Sequence, residues 1–82
     1  MLQLRPNCEC CNRDLPADSS DAYICSFECT FCRACANDVL HLRCPNCRGE
    51  LLPRPRRPAE MLTRHPPSSQ RIHNPAGCTK TA

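Results

Sequence analysis

The chain has 82 residues, of which 10 are cysteine, while large aromatic groups are scarce: two phenylalanines, one tyrosine and no tryptophan. So short a chain buries too little surface to offset the conformational entropy of folding, which excludes a self-sufficient apolar core and calls for disulfides or a metal. The net charge of +3 comes from residues 48–82; because thiolates that bind a metal add negative charge, it is weak support for nucleic-acid binding.

The N-terminus reads Met-Leu-Gln-Leu-Arg-Pro-Asn-Cys and lacks the basic and apolar regions of a secretory signal. No apolar run approaches the roughly 20 residues of a membrane span, so no membrane association is expected. A cytoplasmic location is therefore predicted, where thiols stay reduced. Metal is the favoured means of stabilising the fold.

The first predicted element is a turn at the Cys8 and Cys11 pair. Two sulfurs separated by two residues lie on one face of a tight loop, as a tetrahedral zinc site requires. Asn12 is expected to adopt a positive φ, so that backbone N–H groups point at the sulfurs. Cys10 is expected to be a spare, either buried as a small apolar residue or substituting for a neighbouring ligand. Residues 16–21 are rich in turn-forming side chains and predict a loop.

A short β-hairpin and one helix follow in the chain. Residues 22–27 predict a strand, with residues 30–31 as its partner. Residues 35–42 predict a helix. Its apolar face is expected to consist of Ala36, Val39 and Leu40.

The last cysteine pair lies in the segment Cys44-Pro45-Asn46-Cys47-Arg48-Gly49. Pro45 presets the turn, and Gly49 is expected to supply the conformational freedom that the turn needs. The chain then has four cysteine pairs. Their eight members are the predicted metal ligands: Cys8, Cys11, Cys25, Cys29, Cys32, Cys35, Cys44 and Cys47. Eight thiols predict two Zn²⁺ ions, with one as the alternative.

Other uses of these side chains stay open. Structural disulfides would need an oxidising compartment, a thioredoxin-type redox pair would need a βαβ pattern, and an iron site of rubredoxin type would need only two pairs. His41 could replace one cysteine ligand, although an exposed helical side chain is the simpler interpretation. His65 and His73 are expected to be solvated, and Cys78 to be a free thiol.

The composition changes near residue 52, beyond which the chain is rich in proline and arginine. Proline blocks helix and sheet interiors, and the segment has few large apolar residues to bury. We therefore predict a zinc-binding domain over residues 1–52 and a disordered Pro/Arg-rich tail over residues 53–82. Within the tail, residues 59–64 could form a single helical turn.

The ligand spacing resembles that of a RING finger, including the Cys-Pro-x-Cys-Arg ending at residues 44–48. The chain departs from most RING domains in having Cys29 where they have histidine. The resemblance implies a small zinc-stabilised α+β fold with a cross-brace, in which alternate cysteine pairs share one zinc. Carried over, one site would consist of Cys8, Cys11, Cys32 and Cys35, and the other of Cys25, Cys29, Cys44 and Cys47.

Residues 1 to about 52 also resemble a family of short bacterial proteins known as domain of unknown function 1272. The resemblance lies in the Met-Leu-x-Leu-Arg-Pro-Asn-Cys-Glu-Cys-Cys opening, in Ile-Cys-Ser-Phe-Glu-Cys-Thr-Phe-Cys and in Cys-Pro-Asn-Cys. It implies a bacterial cytoplasmic protein with a zinc fold, and it implies no particular activity.

These features favour a monomeric, structural zinc-binding domain that acts as a protein-interaction module with an unidentified partner. The partner face is expected around Glu9, Cys10, Val39, Leu42 and Arg48, where the RING resemblance implies docking. Ubiquitin-ligase activity is less favoured, because bacteria generally lack ubiquitin. The alternative function is nucleic-acid binding aided by the basic tail, through Arg54, Arg56 and Arg57. No enzyme activity is expected, because eight thiolates leave no open position on either zinc.

Overall fold

A computed structural model describes residues 2–74 of the chain. The elements in chain order are strand β1 (Ala22–Ile24), strand β2 (Thr30–Cys32), a π-helical turn (Cys35–Val39), strand β3 (Leu52–Pro53) and helix α1 (Ala59–Leu62). The strands form one antiparallel sheet in the order β2-β1-β3, so the fold is α+β as predicted. Among the described residues, no helix combines the length and apolar character needed to cross a membrane.

The predicted hairpin is confirmed in strands β1 and β2. Ala22 pairs with Cys32 and Ile24 with Thr30 in antiparallel register. Strand β1 ends before Cys25, earlier than predicted, because the next residues form a tight turn. In that turn the N–H of Glu28 donates to the carbonyl of Cys25 at 3.0 Å, and Glu28 has a φ of 66°.

Strand β3 was not predicted from the sequence. Ile24 pairs with Leu52 and Tyr23 with Pro53, so β3 is an edge strand of the sheet. Proline is tolerated at an edge, where its missing N–H leaves no ladder bond broken. The pairing carries the chain past the predicted domain boundary at residue 52.

The predicted helix over residues 35–42 is a shorter π-helical turn. The N–H of Leu40 donates to the carbonyl of Cys35 at 2.9 Å, a spacing of five residues. The wider turn moves side chains away from the α-helical positions. Ala36 is fully buried, whereas Val39 is 36% exposed, so the prediction that Val39 shares the buried face is wrong. His41 and Leu42, with φ values of 52° and 62°, end the helical geometry.

The core holds few large apolar side chains. Phe31, Leu15 and Leu51 are at most 1% exposed. The other buried members of the same cluster are mainly small, and cysteine sulfurs dominate them: Cys8, Cys10, Cys25, Cys32 and Cys44. Any interaction that fixes the positions of these sulfurs therefore also fixes the packing of the core.

The chain beyond β3 is attached to the domain through Arg54, whose side chain is 4% exposed. Its Nη1 donates to the carbonyl of Arg5 at 2.9 Å, and its Nη2 donates to the carbonyls of Leu15 and Pro16 at 3.3 and 2.9 Å. Burial lowers the pKa of this guanidinium. One buried side chain thus joins the N-terminal segment to the loop that precedes β1.

Residues 57–74 of the predicted tail also make contacts with the domain. The guanidinium of Arg57 donates to the carbonyls of His65 and Leu2 at 2.6 and 2.9 Å. Helix α1 falls within the predicted turn at residues 59–64. The division into a domain over 1–52 and a disordered tail over 53–82 stays a prediction. Cys78 lies outside the described residues.

Candidate metal centre

Four of the predicted ligands form a first thiol group. It consists of Cys8, Cys11, Cys32 and Cys35, whose sulfurs all lie within 4.8 Å of one another. The Sγ atoms of Cys11 and Cys32 are 3.8 Å apart. Cys8 and Cys32 are buried, whereas Cys11 is exposed, so this group lies at the edge of the core.

Three of the remaining ligands form a second thiol group. The sulfurs of Cys25, Cys44 and Cys47 lie within 4.8 Å of one another. The Cys29 thiol contacts those of Cys25 and Cys44 but falls outside the mutually close set. The Nδ2 of Asn46 donates to the Sγ of Cys29 at 3.4 Å. The second group is therefore three close thiols with the fourth beside them.

The two groups draw on alternate cysteine pairs. The first and third pairs meet in the first group, and the second and fourth pairs meet in the second group. This interleaving is the arrangement that the RING resemblance implied. Because each group joins segments distant in sequence, the hairpin and its flanking loops are held together at both groups.

Three cysteine turns each contain a left-handed residue whose N–H donates to the carbonyl of the first cysteine of the pair. The N–H groups of Asn12, Glu28 and Arg48 donate to the carbonyls of Cys8, Cys25 and Cys44 at 2.8, 3.0 and 2.9 Å. The three donor residues have φ values of 63°, 66° and 66°. The positive φ predicted for Asn12 is confirmed. The first and last turns match, with the left-handed residue directly after the second cysteine, whereas Glu28 directly precedes the second cysteine of its pair.

The prediction for Gly49 is wrong, since Arg48 adopts the positive φ and Gly49 does not. Glycine is instead favoured at this position because the backbone passes close to the sulfur of Cys47. The N–H of Gly49 donates to the Sγ of Cys47 at 3.4 Å, and a Cβ at this position would lie 3.3 Å from that sulfur. Glycine lets the backbone reach the sulfur.

Backbone amides point at the sulfurs throughout both groups. In the first group, the N–H groups of Cys11 and Cys35 donate to the Sγ atoms of Cys8 and Cys32, each at 3.5 Å. In the second group, those of Phe27 and Asn46 donate to the Sγ atoms of Cys25 and Cys44 at 3.3 and 3.4 Å. Such donors favour the thiolate over the thiol.

Burial and amide donation divide the thiols into two kinds. Burial raises the pKa of Cys44 to about 12 and also raises the pKa of Cys8, Cys29 and Cys35. Burial opposes the thiolates of Cys25 and Cys32 as well, but hydrogen-bond donors to these sulfurs outweigh it and lower the pKa of both. Each group thus contains one thiol with a lowered pKa beside at least one thiol with a raised pKa.

The donors therefore fit a metal that prefers sulfur. All eight predicted ligands carry free thiols, and no carboxylate or imidazole joins either group among residues 2–74. Soft thiolates with amide support suit Zn²⁺ or iron and are unsuited to Mg²⁺ or Ca²⁺. Two cysteine groups that can hold metal ions are thus present.

Asn46 is a site residue that the sequence did not single out. Besides contacting Cys29, its Nδ2 donates to the Oε2 of Glu9 at 2.8 Å. Glu9 is 6% exposed, so this amide links the first cysteine turn to the second thiol group. The only sequence signal was a polar side chain inside the last cysteine turn.

The predicted partner face is only partly on the surface. Glu9 and Cys10 are 6% and 7% exposed, so the prediction that they form a contact surface is wrong. The N–H of Asn74 donates to the carbonyl of Glu9 at 2.8 Å, and the Nε2 of His73 is 3.2 Å from the carbonyl of Cys10. The C-terminal part of the chain passes over these residues. Val39, Leu42 and Arg48 are exposed.

Comparisons with known proteins agree with the family resemblance. The family model described as "Protein of unknown function (DUF1272)" matches residues 1–57. A relative, "Uncharacterized protein R02474" of Rhizobium meliloti (strain 1021), is 63% identical over 78 residues, which cover 95% of this chain and 93% of the relative. No solved structure matches this chain.

Proposed function

The chain belongs to the family described as Protein of unknown function (DUF1272), and on that premise we propose that it is a structural zinc protein that presents a protein-binding face. The observation that carries the proposal is the interleaving of two thiol groups around a core of few large apolar side chains. A structural zinc contributes on the order of 10 kcal/mol of apparent binding energy, comparable with the whole stability of a small domain.

A structural role fits these centres better than a catalytic one. A catalytic zinc keeps one position open for water, whereas four thiols fill a tetrahedral site. The first group supplies four sulfurs within 4.8 Å of one another. In the second group the Cys29 thiol interacts with those of Cys25 and Cys44, which makes it the candidate for the fourth ligand.

Exposed apolar side chains support the protein-binding role. Phe27 is 72% exposed and Leu52 56% exposed. Leu52 lines two clefts, one of about 430 Å³ with Ile24 and one of about 460 Å³ with Leu42. We call Ile24, Leu42 and Leu52 the apolar face, together with Phe27, which follows the cleft residue Ser26 in the chain. Exposed apolar groups of this kind typically mark an interaction surface.

The second thiol group holds the apolar face in place. Phe27 follows Cys25 by two residues and donates its N–H to the sulfur of Cys25 at 3.3 Å. A face attached to metal-bound turns loses little conformational entropy when a partner binds. Metal binding and partner binding are therefore coupled in this proposal.

Nucleic-acid binding through the tail is the weaker candidate because the arginines are engaged. Arg54 and Arg57 donate to backbone carbonyls, and Arg71 pairs with Asp14. Within residues 53–74 this leaves Arg56 and Arg64 as the other exposed arginines. Two cations release few counterions from a phosphate backbone.

Metal content and chelation test the metal part of the proposal. Protein prepared without chelator should be colourless and carry two equivalents of zinc by elemental analysis. Removing the zinc should collapse the dispersed amide spectrum of residues 8–50. A red-brown protein would point to iron, and dispersion that survives complete zinc removal would contradict a metal-dependent fold.

A matched pair of variants tests the protein-binding part. Phe27→Ser removes the most exposed apolar side chain of the apolar face, and Met61→Ser removes a 38% exposed one on helix α1. In pull-downs with zinc-loaded, full-length protein, the partner retained by the wild type should be lost with Phe27→Ser and kept with Met61→Ser. Equal recovery by all three would place the interaction elsewhere.

A further inference from the structure

Residues 68–74 lie along the N-terminal segment of the chain. We call the surface that receives them the N-terminal groove; its members are Gln3, Asn7, Glu9, Asn12 and Asp14. The N–H of Ser68 donates to the carbonyl of Gln3, and the N–H of Asn74 donates to the carbonyl of Glu9, both at 2.8 Å. Main-chain hydrogen bonds thus hold both ends of a linear segment.

Asn7 recognises the backbone at the middle of this segment. Its side chain is 1% exposed. Its Nδ2 donates to the carbonyl of Ile72 at 3.0 Å, and its Oδ1 accepts the N–H of Ile72 at 3.3 Å. The Nδ2 also donates to the Oδ1 of Asn12 at 2.9 Å, which fixes the amide orientation. A buried amide that pairs with the backbone N–H and C=O of one residue recognises its main chain and not its side chain.

Arg71 supplies the side-chain specificity. Its Nη2 lies 2.9 Å from the Oδ1 of Asp14 and donates to the carbonyl and the Oδ1 of Asn12 at 2.9 and 3.0 Å. One guanidinium therefore meets a carboxylate and two neutral acceptors. Backbone hydrogen bonds that give affinity, with one side-chain site that gives specificity, are the features of a peptide-binding groove.

We propose that the N-terminal groove is a binding site for a linear, arginine-containing peptide segment of a partner protein, and that residues 68–74 occupy it as a tethered competitor. The inference deepens the proposed interaction function and rests on it. The groove is distinct from the apolar face, because none of its members lines either cleft there.

The tether explains why the site is filled by the chain itself. Arg54 and Arg57 attach the chain to the domain, and only the short segment between Arg57 and Ser68 separates these anchors from the groove. A short tether gives an effective concentration of about 1 mM, so a free peptide must compete against it. Weakening the tethered segment should therefore open the site.

The test measures binding of a fluorescent peptide with the sequence of residues 66–74 to full-length, metal-loaded protein under reductant. Arg71→Glu places a carboxylate beside Asp14 and should displace the tethered segment, lowering the apparent Kd for the peptide by about tenfold relative to the wild type. Arg64→Glu makes the same charge change at an exposed site on the same segment and should leave the Kd unchanged. Asp14→Asn added to Arg71→Glu should weaken binding again by about fivefold, because the peptide arginine loses its carboxylate.

The proposal is overturned if Arg71→Glu, still holding its metal, binds the peptide no more tightly than the wild type and Arg64→Glu. The proposal is also overturned if adding Asp14→Asn to Arg71→Glu leaves the Kd for the peptide unchanged. If Arg71→Glu does not fold, Arg71→Gln removes the same contacts without introducing a charge and is held to the same criteria. Metal content of the wild type reports on the proposed structural role, so failure of that role would be seen separately.

Discussion

At the scale of single residues, cysteines form much of the core and both of the thiol groups that can hold a metal. Cys8, Cys32 and Cys44 are at most 1% exposed and pack in the same cluster as Phe31. Serine at such a position would be nearly as large but would bury a hydroxyl and remove a thiolate. A serine substitution at one of these positions therefore removes a candidate ligand and disturbs core packing at the same time.

Matched cysteine substitutions test the assignment of the two groups. Cys32→Ser should remove zinc from the first group and Cys44→Ser from the second, each leaving at most one equivalent by elemental analysis. Because the pairs interleave, each variant should also lose amide dispersion beyond its own site. Cys10→Ser should keep both equivalents, because Cys10 belongs to neither thiol group. If Cys10→Ser loses zinc while Cys8→Ser does not, the assignment of Cys8 as a ligand of the first pair is wrong.

Arg54 is the second residue on which the fold depends. Arg54→Ala would leave the carbonyls of Arg5, Leu15 and Pro16 without their guanidinium donor. Hydrogen bonds to charged groups contribute about 1.5–3 kcal/mol, so the variant should lose about 2–4 kcal/mol in denaturant unfolding at saturating zinc. The exposed neighbour provides the control: Arg56→Ala should change stability by less than about 0.5 kcal/mol. Equal effects would mean that the buried guanidinium contributes no net stability.

At the scale of elements, the cysteine turns are the repeated unit. In three turns a left-handed residue donates its N–H to the carbonyl of the first cysteine, and that residue is Asn12, Glu28 or Arg48. Only asparagine among these is favoured in the left-handed region. The metal-binding turn therefore imposes its conformation on side chains that do not prefer it.

Two adjacent substitutions separate strain from close approach in the last turn. Arg48→Gly should relieve the left-handed strain and raise stability by up to about 1 kcal/mol. Gly49→Ala should instead destabilise by about 1 kcal/mol, because its Cβ would lie 3.3 Å from the sulfur of Cys47. Both are measured as shifts of the denaturation midpoint with zinc present. The opposite ordering would show that Gly49 is the strained position.

At the scale of the whole molecule, the thiols link stability to pH. Without metal, burial holds the pKa of Cys44 at about 12, above the 9.0 of an unfolded thiol. Any structure that remains without metal would gain from this raised pKa below pH 9 and lose that contribution as the pH rises from about 9 to about 12. Metal binding reverses the sign, because the bound thiols are already deprotonated.

The zinc-loaded protein should therefore become less stable as the pH falls. Protons compete with zinc for several thiolates at each group, so release on acidification should be steep. Thermal unfolding across the pH range, with released zinc followed by a chromogenic chelator, measures this dependence. Stability that rises on acidification would contradict the assignment of these thiols as metal ligands.

The sequence by itself determined the cysteine pairs, the hairpin and the family, because these depend on local spacing. Two sulfurs two residues apart can share a metal wherever the turn lies in space. The run of residues 22–27, which follows a turn-rich loop, was enough to predict a strand. The prediction that alternate cysteine pairs share a site came from the RING-finger resemblance rather than from spacing alone. The structure brings cysteines of the same alternate pairs together.

Only the tertiary structure decided which polar residues are buried and where the C-terminal part of the chain lies. Arg54 and Asn7 are charged or polar, and local patterns predict exposure for both, yet the carbonyls that satisfy them lie on distant segments. The path of residues 68–74 likewise depends on a groove formed far away in sequence. Such contacts produce no periodic pattern in the sequence, because the partners are distant along the chain and only the folded structure brings them close.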